Sequence, residues 1–475
     1  MKKVALIGLD GMSWRSILSY SNCFKNVIHL AANGLKGICW CIPPYTPPSW
    51  ISISTGVKPQ KHGILSFTKP KFSAKNRSTY ISSYDISFPR ISEMLALKGL
   101  KSLVINHIFS YPISGWVTKN HVLVSDDFSP QMFIYPEKFD KYSSYFKNVM
   151  KNKPNRRNDK WVLKLNEIVL TKVEGVFKLV DHFDPDFLWI MFKEPDTVMH
   201  YLQYVAAGIY NHRVARLFSS IDDFIGEIAR RVDYVIIVSD HGFDVYIDRV
   251  NIFGVLTKHG IIQSQNILAN FVSKLLSSKL SGYVTWSFLK SLNGLRIFYG
   301  IREFTRRFRR RAYDGNLTSA DISTDKIDGD DAFIIYFSNN NIRSTVINVL
   351  NQYIGYLFDS IEYINIGDAF LLMIIPKKGL HFMNDFSLRG SPLLRFAASR
   401  HSPAGMFVLN GPNIKSSIKF IENSDVAPTI LSLFDLPTAT HFDGQSIINN
   451  RQGIENYLSI WKLTRKIGKL RTFIK

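Results

Sequence analysis

The sequence predicts an α/β fold, a doubly wound and mostly parallel central sheet with helices on both faces and inserted cap regions. Three observations carry this expectation. Short apolar runs recur along the chain, as in VALIGL at 4–9, SLVINHI at 102–108, FLWIMF at 187–192 and YVIIV at 234–238. Strands covered on both faces read as such continuous runs. Segments of helical periodicity alternate with them, the order of βαβ units. Acid and histidine residues stand just beyond several runs, where open α/β sheets place their ligands.

Element by element, residues 3–9 read as the first strand, followed by a turn at Gly11 and helical material through about residue 33. FPRISEMLALKG at 88–99 predicts a helix with a glycine stop, feeding the strand at 102–108. A helix over 161–182 leads into the strand at 187–192. Apolar periodicity through Val205, Ile209, Val214, Leu217, Ile221, Phe224 and Ile228 predicts one long helix from about 201 to 231. AFIIYFS and FLLMIIP then resume apolar runs, AGMFVLNGP reads as a strand, and VAPTILSLFDLP at 426–437 as a helix. Its proline falls early, where a missing N–H does no harm. The expected organisation is a catalytic α/β domain at 1–259 and 316–450, with cap excursions near 66–87 and 109–160 over an edge of the sheet. A basic inserted cap segment occupies 260–315 and a basic tail 451–475.

Of the 475 residues, 46% are apolar and 20% charged, which excludes wholesale disorder. A formal charge of +21, from 59 basic and 38 acidic residues, favours anionic partners. Basic residues cluster at 151–160, 305–311 and 462–475. Binders of single-stranded nucleic acid interleave such residues with stacking aromatics. Here the aromatics fall within apolar runs, so nucleic acid is not expected as a dedicated partner. Peripheral contact with an anionic membrane stays open for 305–311 and for the tail. The alternative for the tail is that its stripe of Leu463, Ile467, Leu470 and Ile474 packs back onto the domain. Cys23, Cys39 and Cys41 are too few and too close for a disulfide framework, which fits a reducing compartment. No stretch has 18 consecutive apolar residues, as a membrane span requires. MKKVALIGLDGMSW reads as a core strand and not a signal peptide, because Asp10 interrupts its apolar run. A cytoplasmic location is the expectation; the oligomeric state is not legible.

Asp10, Asp196, His200, Asp240, His241 and His401 are the candidate metal ligands. Carboxylate and imidazole together suit zinc, manganese or iron. Asp196 and His200, four residues apart, share one face of a helical turn. Asp10 followed by glycine would, alone, be a plain turn. Thr46, in IPPYTPPSWISISTG, is a hydroxyl that metal coordination would activate for attack. A helix starting near Ser49–Trp50 would point free N–H groups toward an anion beside it. Thr46 as a simple cap, and Ser49 and Ser52 as competing hydroxyls, remain open.

The segments VALIGLDGMSW, PPYTPPSWISISTGVKPQKHGILSF, FKEPDTVMH, YVIIVSDHGF, RHSPAGMFVLNGPNI and DVAPTILSLFDLPTATHFDG run in order from residue 4 to about 444. Together they resemble the alkaline phosphatase superfamily, and within it the type I phosphodiesterase/nucleotide pyrophosphatase branch and its microbial phosphohydrolase relatives. The resemblance implies a metal-dependent phosphoric ester hydrolase with two divalent ions, zinc or else manganese or iron. It assigns Asp10, Thr46, Asp240 and His241 to one ion and Asp196, His200 and His401 to the other. Thr46 would attack and form a phosphothreonine that water hydrolyses. His62 matches a family position that looks structural. The sulfatase C/S-x-P-x-R segment is absent, TPPSW standing in its place. The region 331–392 lacks the asparagine–glycine–arginine pattern of many microbial relatives, so the leaving-group pocket is not carried over. Asn106 is the polar residue best placed to bind a nonbridging phosphoryl oxygen, with a structural turn as its alternative. Lys193 is the one nearby cation that could clamp a monoester, which leans the expectation toward a diester. The alternatives are a phosphomonoesterase or phosphomutase of the same superfamily, or a non-hydrolytic protein binding nucleic acid or a membrane surface.

Overall fold

The computed structural model describes residues 1–69, 79–113, 120–147, 154, 158–261, 278, 283, 322–323, 333–337, 340–366, 369–382, 391–448 and 453–473. The strands in chain order are β1 (Val4–Leu9), β2 (Leu35–Trp40), β3 (Ser102–Ile105), β4 (His121–Val124), β5 (Ile134–Tyr135), β6 (Phe187–Phe192), β7 (Tyr234–Val238) and β8 (Gly242–Val250). There follow β9 (Ile322–Ser323), β10 (Phe333–Phe337), β11 (Phe358–Ile366), β12 (Ala369–Pro376), β13 (His381–Phe382), β14 (Leu393–Ser402), β15 (Ala404–Asn410) and β16 (Ser417–Glu422). Nine of them form one sheet in the order β16-β2-β15-β7-β1-β6-β3-β4-β5. The run β7-β1-β6-β3-β4 is parallel throughout, and the only reversed strands are β15 and the edge strand β5. The predicted doubly wound, mostly parallel sheet is therefore present.

Both faces of this sheet are covered, and β1 shows how. Ala5, Ile7 and Leu9 enter one apolar core, while Val4 and Leu6 enter another on the opposite face. This is the two-residue period of a strand expressed in a fully buried run. On the first face lie α2 (Lys25–Ala32) and two long helices, contributing Val27, Leu179 and Phe218. Preceding α2 is α1 (Trp14–Ser19). The opposite face is covered by α3 (Thr46–Thr55), α4 (Pro59–His62) and α5 (Ile91–Leu97), with Trp50, Ile91 and Met94 in that core. The two long helices are α6 (Trp161–Phe183) and, after the short α7 (Glu194–Tyr201) and α8 (Gln203–Ala206), α9 (His212–Ala229).

The predicted single helix at 201–231 is in fact three pieces. Gly208 takes a positive φ of 84°, and the Asn211 side chain caps α9 by accepting from the Arg213 and Val214 N–H groups. Val205 and Ile209 pack on the same core as α9 without belonging to it, so the apolar periodicity ran unbroken across the interruption. The strand at 102–108 also stops early, at Ile105, because Asn106 turns the chain with φ 59°.

AFIIYFS and FLLMIIP are strands, as expected, but they do not extend the central sheet. They are β10 and β12 of a separate antiparallel sheet of order β11-β12-β10-β9. With α10 (Ile252–Lys258) and α11 (Asn340–Asn351), this sheet has an apolar core of its own around Phe253, Val346, Leu350 and Ile374. The central sheet resumes only at β15, beyond the boundary placed at residue 316. The basic run at 305–311 lies outside the described residues. A third, three-stranded sheet, β13-β8-β14, bridges the two regions. No helix among the described residues is long and apolar enough to cross a membrane. All three cysteines are buried and none is in a disulfide.

The helix α12 (Val426–Leu433) is fully buried, and the tail forms α13 (Tyr457–Phe473). Its first turns pack against the domain: Tyr457 and Trp461 are buried, and the Trp461 indole N–H donates to Glu93 at 3.0 Å. Leu463 is exposed. Replacing Trp461 by alanine should lower the unfolding free energy by about 3–5 kcal/mol, read from denaturant titration, because it opens a cavity and removes one of the donors to the buried Glu93 carboxyl. An unchanged midpoint would show that the tail is not integral to the domain.

Candidate active site

At the C-terminal ends of β1, β6 and β7 the sequence changes abruptly from apolar to ionisable. β1 lies between β6 and β7, with strands added on both sides, so these ends form the crevice of a topological switch point. Asp10 directly follows β1, Asp240 and His241 follow β7, and Asp196 and His200 lie on α7, just after β6. Thr46 opens α3, and His401 comes from β14, whose pairing with β8 sets His401 opposite Phe243. The approach to His401 is thus a strand in a ribbon.

All seven predicted metal-site residues are joined in one chain of short contacts, with His241 at the hinge. His241 Nε2 lies 3.3 Å from Asp240 Oδ2, 3.6 Å from Asp10 Oδ1 and 3.3 Å from Thr46 Oγ1. The His401 ring stacks on His241 at 3.9 Å between centroids. His401 Nε2 is 3.5 Å from Asp196 Oδ1 and 2.8 Å from His200 Nε2, which in turn is 3.3 Å from Asp196 Oδ1. Phe243 packs edge-on against the rings of His200, His241 and His401 and limits their rotation.

The supporting contacts turn these atoms inward. His241 Nδ1 faces the Gly242 carbonyl at 3.2 Å, and His401 Nδ1 faces the Pro44 carbonyl at 3.1 Å. A carbonyl only accepts, so each Nδ1 carries the proton and each Nε2 lone pair points into the site. Asp10 Oδ2 accepts from the Trp50 indole, and Asp240 Oδ1 from the Gly11 N–H. Their second oxygens, Asp10 Oδ1 and Asp240 Oδ2, are buried without a hydrogen-bond partner among the described residues, and the buried Asp196 Oδ1 has only the ring nitrogens of His200 and His401 beside it. These three buried carboxylate oxygens beside imidazole lone pairs form a donor set that a divalent cation satisfies. Two triads have ligand atoms within 4.8 Å of one another, Asp10–Asp240–His241 and Asp196–His241–His401.

Electrostatics report the same crowding. Burial, then the charges of Asp240 and Asp196, push Asp10 well above the ordinary carboxylate range. Burial and Asp196 push Asp240 up to about 8. For Asp196 burial also acts upward, but the imidazoles of His200 and His401 outweigh it and hold the carboxyl well below its usual value. Beneath α7, buried Lys172 pairs with Glu194 at 2.6 Å, tying the start of this ligand-bearing helix to α6.

The family model for type I phosphodiesterase / nucleotide pyrophosphatase matches residues 4–269, more than half of the chain. The chain belongs to the type I phosphodiesterase/nucleotide pyrophosphatase family. Membership makes it a phosphoric ester hydrolase of the alkaline phosphatase superfamily. Among solved structures it is similar to phosphonoacetate hydrolase from Sinorhizobium meliloti 1021 in complex with phosphonoformate, at TM-score 0.56 and 13% identity over 90% of this chain and 94% of that one. It is also similar to an inactive variant of murine ectonucleotide pyrophosphatase / phosphodiesterase 5 in complex with AMP, at TM-score 0.53 and 12% identity over 94% and 97%. The human counterpart gives TM-score 0.52 at 14% identity, again over 94% and 97%. A search of curated proteins finds no match.

Within this family member, several sequence expectations change. Asn106 is committed to the scaffold: its amide donates to the Met191 carbonyl at 3.0 Å, and its oxygen accepts from the Asp127 N–H at 3.0 Å. Its structural alternative is the one the geometry favours. The helix α3 begins at Thr46 itself and not near Ser49. Pro47 and Pro48 have no N–H, and Ser49 N–H bonds the Tyr45 carbonyl, so the first turn offers an anion at most the Thr46 amide. Of the competing hydroxyls, Ser52 bonds His62 at 3.1 Å, and only Thr46 has a hydrogen bond to a ligand histidine. His62 is structural as expected, accepting from the Ile64 N–H, with burial lowering its pKa to about 3. Lys193 is paired with Asp127 at 2.8 Å. The sequence reading missed Trp50, Ser239 and Asn423. Ser239 Oγ ties the Met12 N–H to the His241 carbonyl, and Asn423 donates to the Asp240 carbonyl.

A pH prediction follows from the raised carboxyls. Metal-free folded protein keeps protons on Asp10 and Asp240 that the unfolded chain releases above pH about 4, so its stability falls as pH rises toward about 8. Asp196, depressed in the folded state, adds a contribution that is constant over this window and lost only in stronger acid. The Tm of chelator-treated protein should therefore drop between pH about 5 and about 8, and added zinc should recover it most at the upper end. A flat profile with no zinc response would contradict a buried carboxylate cluster.

Proposed function

We propose that this chain is a metal-dependent phosphodiesterase in which Thr46 is the attacking residue. Asp10, Thr46, Asp240 and His241 would hold one divalent ion, and Asp196, His200 and His401 a second, with His241 near enough to serve both groups. The observation that carries this reading is the Thr46 hydroxyl, 3.3 Å from His241 Nε2 and beside buried carboxylate oxygens that have no hydrogen-bond partner among the described residues. When bound, such ions lower the pKa of the hydroxyl and neutralise phosphoryl oxygens. Imidazole-rich coordination favours zinc over magnesium.

In this scheme the Thr46 oxygen forms a bond to phosphorus, the bond to the leaving oxygen breaks, and that oxygen takes up a proton. Water then attacks the phosphothreonine, returning the hydroxyl to Thr46 and releasing phosphate monoester. Pro47 and Pro48 hold the start of α3 in helical conformation, and the buried Trp50 one turn on fixes both Asp10 and the helix. The pairing of Lys193 with Asp127 leaves that cation engaged, which supports a diester over a monoester. The AMP bound to the murine relative favours a nucleotide-containing diester.

Hydrolysis of bis-p-nitrophenyl phosphate tests the proposal. Chelation should abolish turnover, zinc or manganese should restore it, and Thr46→Ala should lower kcat by about 10³-fold or more while the fold persists by circular dichroism. Turnover in Thr46→Ala equal to the wild type, or none in metal-loaded wild type, would refute it. A kcat/KM about a hundredfold higher for p-nitrophenyl phosphate would reassign the substrate to monoesters.

A further inference from the structure

The two groups of candidate metal ligands are held in place by different means. Asp10, Asp240 and His241 stand directly at the ends of β1 and β7, and their side chains are at most 3% exposed. Asp196 and His200 lie further along the chain from their strand, on the short helix α7, and are 19% and 36% exposed. Strand register fixes the first group. The second depends on whatever fixes α7, and no side chain caps the start of that helix, so ties from other elements have to hold it.

The two residues before Pro195 supply those ties, with opposite charges. Glu194 pairs with Lys172 of α6 at 2.6 Å, both buried, and Lys193 pairs with Asp127, in the loop after β4, at 2.8 Å. Burial pushes the Asp127 carboxyl up, but the charges of Lys172 and Lys193 outweigh it and hold the group below its usual value. The four side chains are therefore one network joining α6, α7 and the loop after β4. Asp127 is itself anchored, its N–H donating to Asn106 Oδ1 at 3.0 Å. On the side of the site, a Cβ at Gly11 would come within 3.1 Å of the Asp196 Cα, so the helix has no room to move toward that turn. Two lysines and two carboxylates cancel, and the network adds no net charge to the ligand cluster. Burying such a pair costs about as much as its attraction gains, so stability is a poor reason for it. What it supplies is position.

We propose that Lys172 and Lys193 are positioning residues that set the affinity of the Asp196–His200–His401 group for its ion without altering that of the Asp10–Asp240–His241 group. The inference rests on the two-ion reading given above, and it makes the two sites unequal. The ion held by α7 is the weaker one, and its retention depends on charges that never touch it.

Zinc titration of chelator-treated full-length protein, in competition with a chromophoric zinc chelator, tests it. Wild type should bind two zinc ions per chain with unequal affinities. Lys172→Met should weaken the weaker site about tenfold or more and leave the tighter one within about twofold. Lys193→Met, at a side chain 31% exposed that the fold tolerates more readily, should weaken the same site. In an Asp196→Asn background, which removes a ligand of that site, Lys172→Met should change the remaining affinity no further. Two unchanged affinities in both lysine variants would overturn the proposal and leave the two-ion reading in place. Equal weakening of both sites would also overturn it, by showing a general loosening of the fold. Wild type that binds no zinc, or a single ion, would overturn the two-ion reading and this inference with it.

Discussion

Asp10, Asp196 and Asp240 are three carboxylates gathered around two stacked imidazoles, with almost no access to water. In a low-dielectric interior like charges at such separations repel strongly, and each would neutralise itself if left alone. The upward pressure on Asp10 and Asp240 is that repulsion together with burial. A folded chain tolerates the arrangement only if rigid elements hold each group from behind. The parallel strands do this, because β1 and β7 deliver their acids at adjacent positions in fixed register. The Gly11 amide, the Trp50 indole and Ser239 then complete the cradle. Packing on both faces of the sheet exists, in this sense, to keep a repulsive cluster in place.

Much of this was visible in the sequence. Continuous apolar runs such as VALIGL and FLWIMF announce strands covered on both sides, and an acid directly after such a run has nowhere to go but the crevice at the sheet's end. The spacing of Asp196 and His200 likewise needs only a helical turn to bring them together, and α7 supplies it. What was illegible has specific causes. Periodicity cannot register a break when the residues across it pack on the same core, as Val205 and Ile209 do beside α9. Apolar strands look alike whichever sheet they join, so β10 and β12 could not be told from members of the central sheet. Asn106 looked available because a polar residue after a strand is equally a ligand-binding group and a turn, and only its bonds to Met191 and Asp127 decide. Trp50 gave no signal, since an indole N–H aimed at an acid is a three-dimensional fact.

The helix that begins at Thr46 illustrates how local chemistry limits function. A helix N-terminus usually offers a set of unpaired amides to an anion. Here two consecutive prolines remove that set while stiffening the backbone at Thr46. Recognition of a phosphoryl group is thereby shifted from the peptide backbone to side chains and whatever cations they hold. That trade suits a site whose own charges are already negative.

The β8–β14 ribbon has an implication for the family's variability. Both strands leave the crevice together, β8 just after His241 and β14 carrying His401, and they remain hydrogen-bonded out to Val250 and Leu393. The described residues between them, including the second sheet, are suspended from a clamp that is already closed. Lengthening such a segment changes its loop entropy only logarithmically, and the change is felt beyond the clamp, away from the ligands. The insertion can therefore be redesigned by evolution as a cassette, with the two histidines at the ribbon's root kept in alignment.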